Sequence, residues 1–217
     1  MSQDSFSRRK WILGQPRAFQ GLLRAALGSL FCLFLAVGVA WCGESIPREA
    51  YQWHRTLIRE VRLYWGMSHT SDMFAAQIHQ ESRWRATAHS AYASGLGQQT
   101  PDTVKWLGQL YPADLGRGDA FDPHWSIRAL VMYDRKLWQD FQAAKGDDAR
   151  WSFVLSAYNG GAGWVRREQR LAQTNGRDPN LWFCNVEHAR VRGIKAFDEN
   201  RDYPRKIFRW RLLYRGW

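Results

Sequence analysis

A chain of 217 residues with 45% hydrophobic content has room for one domain with a sizeable core plus a tail. Its three cysteines, two of them inside an apolar stretch, exclude a disulfide framework. The net charge of +11 points toward polyanions such as nucleic acid, anionic lipid or bacterial wall polymers, without choosing among them.

Residues 1–24 carry Arg8, Arg9, Lys10, Arg17 and Arg24, and read as a basic cytoplasmic tail. Residues 25–42 are an uncharged, mainly apolar run of eighteen, long enough for a transmembrane or signal-anchor helix. Positive charge before the run and Glu44 after it place the N-terminus in the cytoplasm and the domain that follows outside the inner membrane. The alternative is a signal peptide cleaved near Ala40-x-Cys42, releasing the domain to the periplasm.

From Ile46 the pattern is helical. Pro47 stands near a first turn, and Ala50, His54, Leu57, Val61 and Tyr64 form a stripe ending before Gly66. A second helix runs from about Ser71 to about Trp84, followed by a small and polar loop from Ala86 to Gly97. Asp102 is placed to cap a short helix carrying Val104, Leu107 and Tyr111. Ile127, Leu130, Val131, Asp134, Leu137, Trp138 and Phe141 mark a long amphipathic helix. Trp151, Val154, Leu155 and Tyr158 mark another, broken at glycines 160, 161 and 163. Residues 174–188 read as irregular loop, and Pro204 behind Asp202 starts the last helix, Ile207 to Tyr214. No run alternates with strand period, so the fold class is all-α, with residues 46–213 as the globular domain.

One acid stands where an acid is expensive. Phe74, Ile78 and Glu81 share a helical stripe, so a core-facing Phe74 and Ile78 leave Glu81 half buried. It also lies near the negative end of the helix dipole, and both effects raise its pKa. Glu81-Ser82, Ala88-x-Ser90, Ala93-x-Gly95-Leu96-x-Gln98 and Pro101-x-Thr103 follow one another in order. Phe121-Asp122-Pro123, then Ala157-Tyr158-Asn159-Gly160-Gly161, and finally Glu199-x-x-x-Tyr203 continue the series. This succession resembles the soluble lytic transglycosylase (SLT) family, which shares a lysozyme-like fold with goose-type lysozymes. The loop from Ser90 to Gly95 is one residue shorter than the family pattern, Tyr92 takes the place of a glycine, and Gly97 that of a methionine.

The resemblance implies cleavage of peptidoglycan glycan strands between N-acetylmuramic acid and N-acetylglucosamine, with Glu81 as acid and then base. It implies that Ser82 and Tyr158 position Glu81, that Gln98 and Asn159 bind the glycan, and that Tyr203 belongs to the same site. It implies no metal and no other cofactor. The inner membrane is a further expected partner, and a secretion, conjugation or phage assembly is a candidate setting. Nucleic acid is not expected as a partner. His79 and His89 lack a third ligand at metal spacing and read as packed or surface imidazoles; Cys184 reads as a packed thiol. The thirteen tryptophans serve either the core or a sugar-stacking groove. Two other readings remain open at this stage: a lysozyme-like hydrolase on the same fold, and a non-catalytic basic scaffold using the Arg-rich C-terminus.

Overall fold

In a computed structural model of the chain, residues 45–217 are described, and the apolar run at 25–42 lies outside them. Among the described residues no helix is long and apolar enough to cross a membrane. They contain seven α-helices: α1 (Arg48–Trp65), α2 (Asp72–Ser82), α3 (Pro101–Leu110), α4 (Pro123–Asp140), α5 (Asp147–Gly160), α6 (Ala162–Thr174) and α7 (Ile194–Arg211). Two single 3-10 turns, Val186–His188 and Leu212–Tyr214, complete the order. No strand occurs among the described residues; the loop after α2 carries only two isolated bridges, His89 to Ser94 and Ser94 to Gln99.

Helix α2 is the hub. Every residue from Asp72 to His79 is buried, so the helix needs neighbours on all sides. Helix α7 packs along it, and the C-terminal 3-10 turn closes its end, while α1 packs on α4 and α5 joins α4, α6 and α7. Phe74 and Ile78 enter the core with Leu57, Val61, Ile127, Leu130, Val131, Phe153, Val154 and Ile207, as their periodicities require. The tryptophans contribute here too. Trp65 stacks on Trp151 with centroids 5.3 Å apart and meets Phe74 and Trp138 edge-on.

The element boundaries differ from the sequence reading in three places. Helix α3 is capped by Thr100, whose hydroxyl accepts from Thr103 N at 3.2 Å, with Pro101 in the first turn; Asp102 sits inside that turn instead. Helix α6 is present where only a glycine-rich break was expected. The break is confined to Gly161, whose φ of 90° ends α5, and the stripe Val165, Glu168, Ala172 then buries a new helix. Helix α7 begins at Ile194 and runs through Pro204. The proline removes one backbone hydrogen bond, but burial of Asn200, Arg201, Tyr203 and Ile207 on one side holds the helix continuous.

The C-terminus is part of this framework. Tyr214 is fully buried; its hydroxyl accepts from Trp84 Nε1 at 2.7 Å and lies 2.8 Å from His79 Nδ1. Burial, then the nearby Arg83 charge, push His79 down to about 4, so a neutral ring shares a hydrogen bond with the Tyr214 hydroxyl. Trp210 Nε1 donates to Gln80, and Arg211 pairs with Asp72 at 2.8 Å. Tyr214, Trp210 and Arg211 of the C-terminal stretch therefore fasten α2. We expect Tyr214→Phe to lower unfolding free energy by about 1–3 kcal/mol, because it strands a buried indole N–H. Urea denaturation reads this, and an unchanged midpoint would rule out the tie.

Candidate active site

Glu81 is the penultimate residue of α2. The helix stops because Arg83 and Trp84 both take left-handed conformations, with φ of 50° and 63°, and Trp84 is drawn into the core. The turn leaves the Glu81 carboxyl facing a cavity of about 420 Å³, lined also by Gln98, Tyr133, Tyr158, Asn159 and Glu199. Removal of water from around the carboxyl, the larger effect, pushes its pKa up to about 8. A hydrogen bond donated by Tyr203 Oη to Glu81 Oε1 works the other way by favouring the charged form. Glu81 thus keeps its proton at neutral pH, beside a hydrogen-bond donor that favours its charged form.

The expected site residues fall into three groups. Tyr203 is brought onto Glu81 from α7, which is buried against α2. Tyr158 and Asn159, at the end of α5, line the cavity with Gln98. The Tyr158 hydroxyl donates to Gly97 O at 2.7 Å and accepts from Gln99 Nε2 at 3.3 Å, so it anchors the loop above the site, while the direct bond to Glu81 comes from Tyr203. Gln98 has its amide nitrogen engaged by Ala88 O and Gly95 O, at 3.1 and 3.0 Å. Ser82 is buried and turns its hydroxyl back to Ile78 O at 3.2 Å, outside the cavity lining.

Gln99, Ser126, Asn200, Arg201, Arg192 and Glu168 were not singled out in the sequence, whereas Gly95 and Glu199 stood in its motifs. Gln99 is buried, bonding Tyr158 and Ser126, and Ser126 Oγ in turn accepts from Gly97 N at 3.0 Å. Gly95 is required in this loop: its φ is 77°, and a Cβ there would stand 1.7 Å from Ala120 O. Asn159 Oδ1 accepts from Asn200 Nδ2 at 3.0 Å, and Asn200 Oδ1 accepts from Ser156 and Arg201. Arg201 and Arg192 both pair with the fully buried Glu168, at 2.9 and 2.8 Å. Glu199 is a second carboxyl on the cavity wall. The signal for it was available, since Glu199 and Tyr203 are four residues apart on one helix.

No tryptophan lines the cavity; its aromatic surfaces are Tyr92, Tyr133 and Tyr158. Cys184 is exposed, not packed as its residue type suggested, and has a φ of 58°. Its sulfur lies within 4.8 Å of donor atoms on Glu187 and His188. That closeness follows from local bonds: Glu187 accepts from Cys184 N at 2.9 Å and lies 3.2 Å from His188 Nε2. His89 is exposed.

Residues 65–181 match the family described as Transglycosylase SLT domain, which is more than half of the chain. The protein belongs to that family. Similar curated proteins carry the name membrane-bound lytic murein transglycosylase F. The one from Vibrio campbellii is 31% identical over 150 residues, covering 64% of this chain and 27% of the relative. That from Shewanella halifaxensis is 32% identical over 109 residues, covering 50% and 21%. That from Maricaulis maris is 34% identical over 113 residues, covering 51% and 23%. The shared region therefore spans about a quarter of the length of these relatives. The match to the SLT family takes in Glu81, Gln98, Tyr158 and Asn159 and ends before α7, so the contact of Tyr203 with Glu81 rests on the geometry of this structure alone.

Because the folded pKa of Glu81 is raised above that of the unfolded chain, the carboxyl costs no stability below the unfolded value near 4.5. Stability is then lost as pH rises toward about 8. We expect Glu81→Gln to gain stability over the unsubstituted protein more at pH 9 than at pH 4, read from thermal midpoints; a constant difference would deny the raised pKa. Tyr203→Phe removes the donor that favours the anion and should move the Glu81 titration to higher pH, measured by carboxyl NMR.

Proposed function

We propose that the protein is a peptidoglycan lytic transglycosylase. The observation that carries this reading is a single half-buried glutamic acid, pushed up to about 8 and bonded by a tyrosine, facing a cavity large enough for glycan groups. Family membership and the printed names of the relatives support it.

Protonated Glu81 donates to the oxygen linking N-acetylmuramic acid to N-acetylglucosamine. The leaving sugar departs, and the muramyl N-acetyl group stabilises the cationic centre at C1. Glu81, now a carboxylate, takes the proton from the C6 hydroxyl of the same muramyl residue as that oxygen attacks C1, closing a 1,6-anhydro ring. Two chemical demands thus fall on one residue. Gln98, Tyr158 and Asn159 line the substrate path, and the Asn200 contact orients Asn159 toward it.

Glu199 supports a second reading. A carboxyl on the same cavity wall is the kind of group a lysozyme-like hydrolase uses to activate water. The products separate the two. A transglycosylase leaves 1,6-anhydro-muramic ends, lighter by one water than hydrolysed ends. The C6 hydroxyl also has the advantage of high effective concentration over bulk water. Mass spectrometry of digested sacculi should show anhydro ends as the main terminus, and reducing muramic acid in their place would favour the hydrolase. Glu81→Gln should reduce cleavage by ~10²–10⁴-fold while leaving the domain folded; sacculi cleared at an undiminished rate would remove Glu81 from the chemistry.

We further propose that the domain acts in the periplasm, held to the inner membrane by the apolar run at 25–42. The word membrane-bound in the relatives' names agrees with this placement. Fractionation of the full-length chain should recover it with the inner membrane. Recovery as a soluble product beginning near Gly43 would show that the run is a cleaved signal.

A further inference from the structure

A second acid lies deeper in the domain than Glu81. Asp134, on α4, is fully buried, and the described ion pairs give it no cation. Its one hydrogen-bond partner is Gln77 on α2, whose Nε2 donates to Asp134 Oδ1 at 3.4 Å. Gln77 is fully buried as well. Each residue keeps one buried oxygen without a partner: Gln77 Oε1 and Asp134 Oδ2.

An ionised Asp134 would leave a bare negative charge in the core and two acceptor oxygens with nothing to accept from, a costly arrangement. A single proton on Asp134 resolves all of it. The acid O–H donates to Gln77 Oε1 while the amide N–H donates to the other acid oxygen, so carboxylic acid and amide close a two-bond ring. Rotating the Gln77 amide by half a turn gives the same ring, with the proton on the other acid oxygen.

We infer that Asp134 is a positioning residue, held as a neutral carboxylic acid by Gln77, which ties the Glu81-bearing helix to α4 without placing a second negative charge beneath Glu81. The inference deepens the transglycosylase reading and rests on it for its catalytic meaning. Gln77 and Glu81 are four residues apart on α2, one turn, so whatever fixes Gln77 fixes the height of Glu81. The ionisable groups around Asp134 are Glu81 from α2, Tyr158 from α5, Tyr203 from α7 and Tyr133 from its own helix. None is a cation. Burial and Glu81 both push the Asp134 carboxyl well above its usual range, in agreement with the bonding pattern, and the Gln77 bond opposes them only in part. A neutral Asp134 matters for the second half of the reaction. Glu81 must then carry negative charge, and a charged neighbour one turn below would resist it.

The test needs the full chain and three variants. Infrared difference spectra of the unsubstituted protein against Asp134→Asn should show a protonated carboxylic acid that persists through neutral pH; a carboxylate signal in its place overturns the inference. Asparagine reproduces both bonds to Gln77, so in Asp134→Asn the Glu81 titration followed by NMR should stay near pH 8. A fall of that titration toward the ordinary carboxylate range would mean that a negative charge had been removed, and would also overturn it. Asp134→Ala and Gln77→Ala each break the ring. Each should shift the Glu81 titration and lower kcat on sacculi more than it alters KM, with Asp134→Asn restoring both. Infrared and NMR readings do not require turnover, so a protein that holds the acid neutral yet leaves sacculi intact would count against the transglycosylase reading alone.

Discussion

A carboxyl group kept out of water at the end of a buried helix is the constraint that the other elements satisfy. Glu81 faces its cavity only because α2 is covered on every side, and a helix covered on every side needs a partner for each face. Helix α7 supplies the longest contact and delivers Tyr203 to the acid. The C-terminal turn closes the helix end through Tyr214, and α4 lies beneath through Asp134. The raised proton affinity of Glu81 is therefore a property of the whole helical packing, since desolvation by surrounding protein is its larger cause.

The polar residues behind the cavity are tied to one another in two sets. Glu168 sits between Arg192 and Arg201, Arg201 also grips the carbonyls of Val186, Glu187 and Ala189, and Asn200 passes this order on to Asn159. On the opposite wall Ser126, Gln99 and Tyr158 hold the Gly95–Gly97 loop. Buried polar groups of this kind add little net stability, because desolvation offsets their attraction. What they do provide is a cavity wall whose side chains are held in defined positions, which is the kind of support a binding site needs.

The acid itself was legible in the sequence because two independent signals met on it: the Phe74, Ile78, Glu81 stripe and the ordered motifs that follow. The all-helical class was legible from periodicity. The start of α7 was not, because Pro204 is an ordinary stop signal and only tertiary burial of Tyr203 and Ile207 overrides it. Helix α6 was hidden for a related reason: three glycines in four residues suggest a loop, yet a single one, Gly161, takes the left-handed conformation. Which glutamine faces which way, and whether Tyr158 or Tyr203 touches the acid, depends on contacts across 59 to 122 positions of sequence. Local patterns do not carry that information.

Tyr203 also bears on the two opposite roles proposed for Glu81. An acid that is only buried donates readily but resists staying charged, whereas an acid that is only hydrogen-bonded as an anion gives up its usefulness as a donor. Here burial sets the protonated resting form, and the Tyr203 hydroxyl already points at the oxygen where negative charge will appear. No reorganisation is needed when the proton leaves, which is the condition under which an oriented dipole lowers a barrier. Tyr203 does not compete for the proton's role. Its own burial, then the Glu81 charge, hold the phenol well above its ordinary range, so it stays a hydrogen-bond donor to Glu81. A desolvated carboxyl paired with a phenol held protonated by burial is thus an arrangement that suits the two charge states proposed for Glu81.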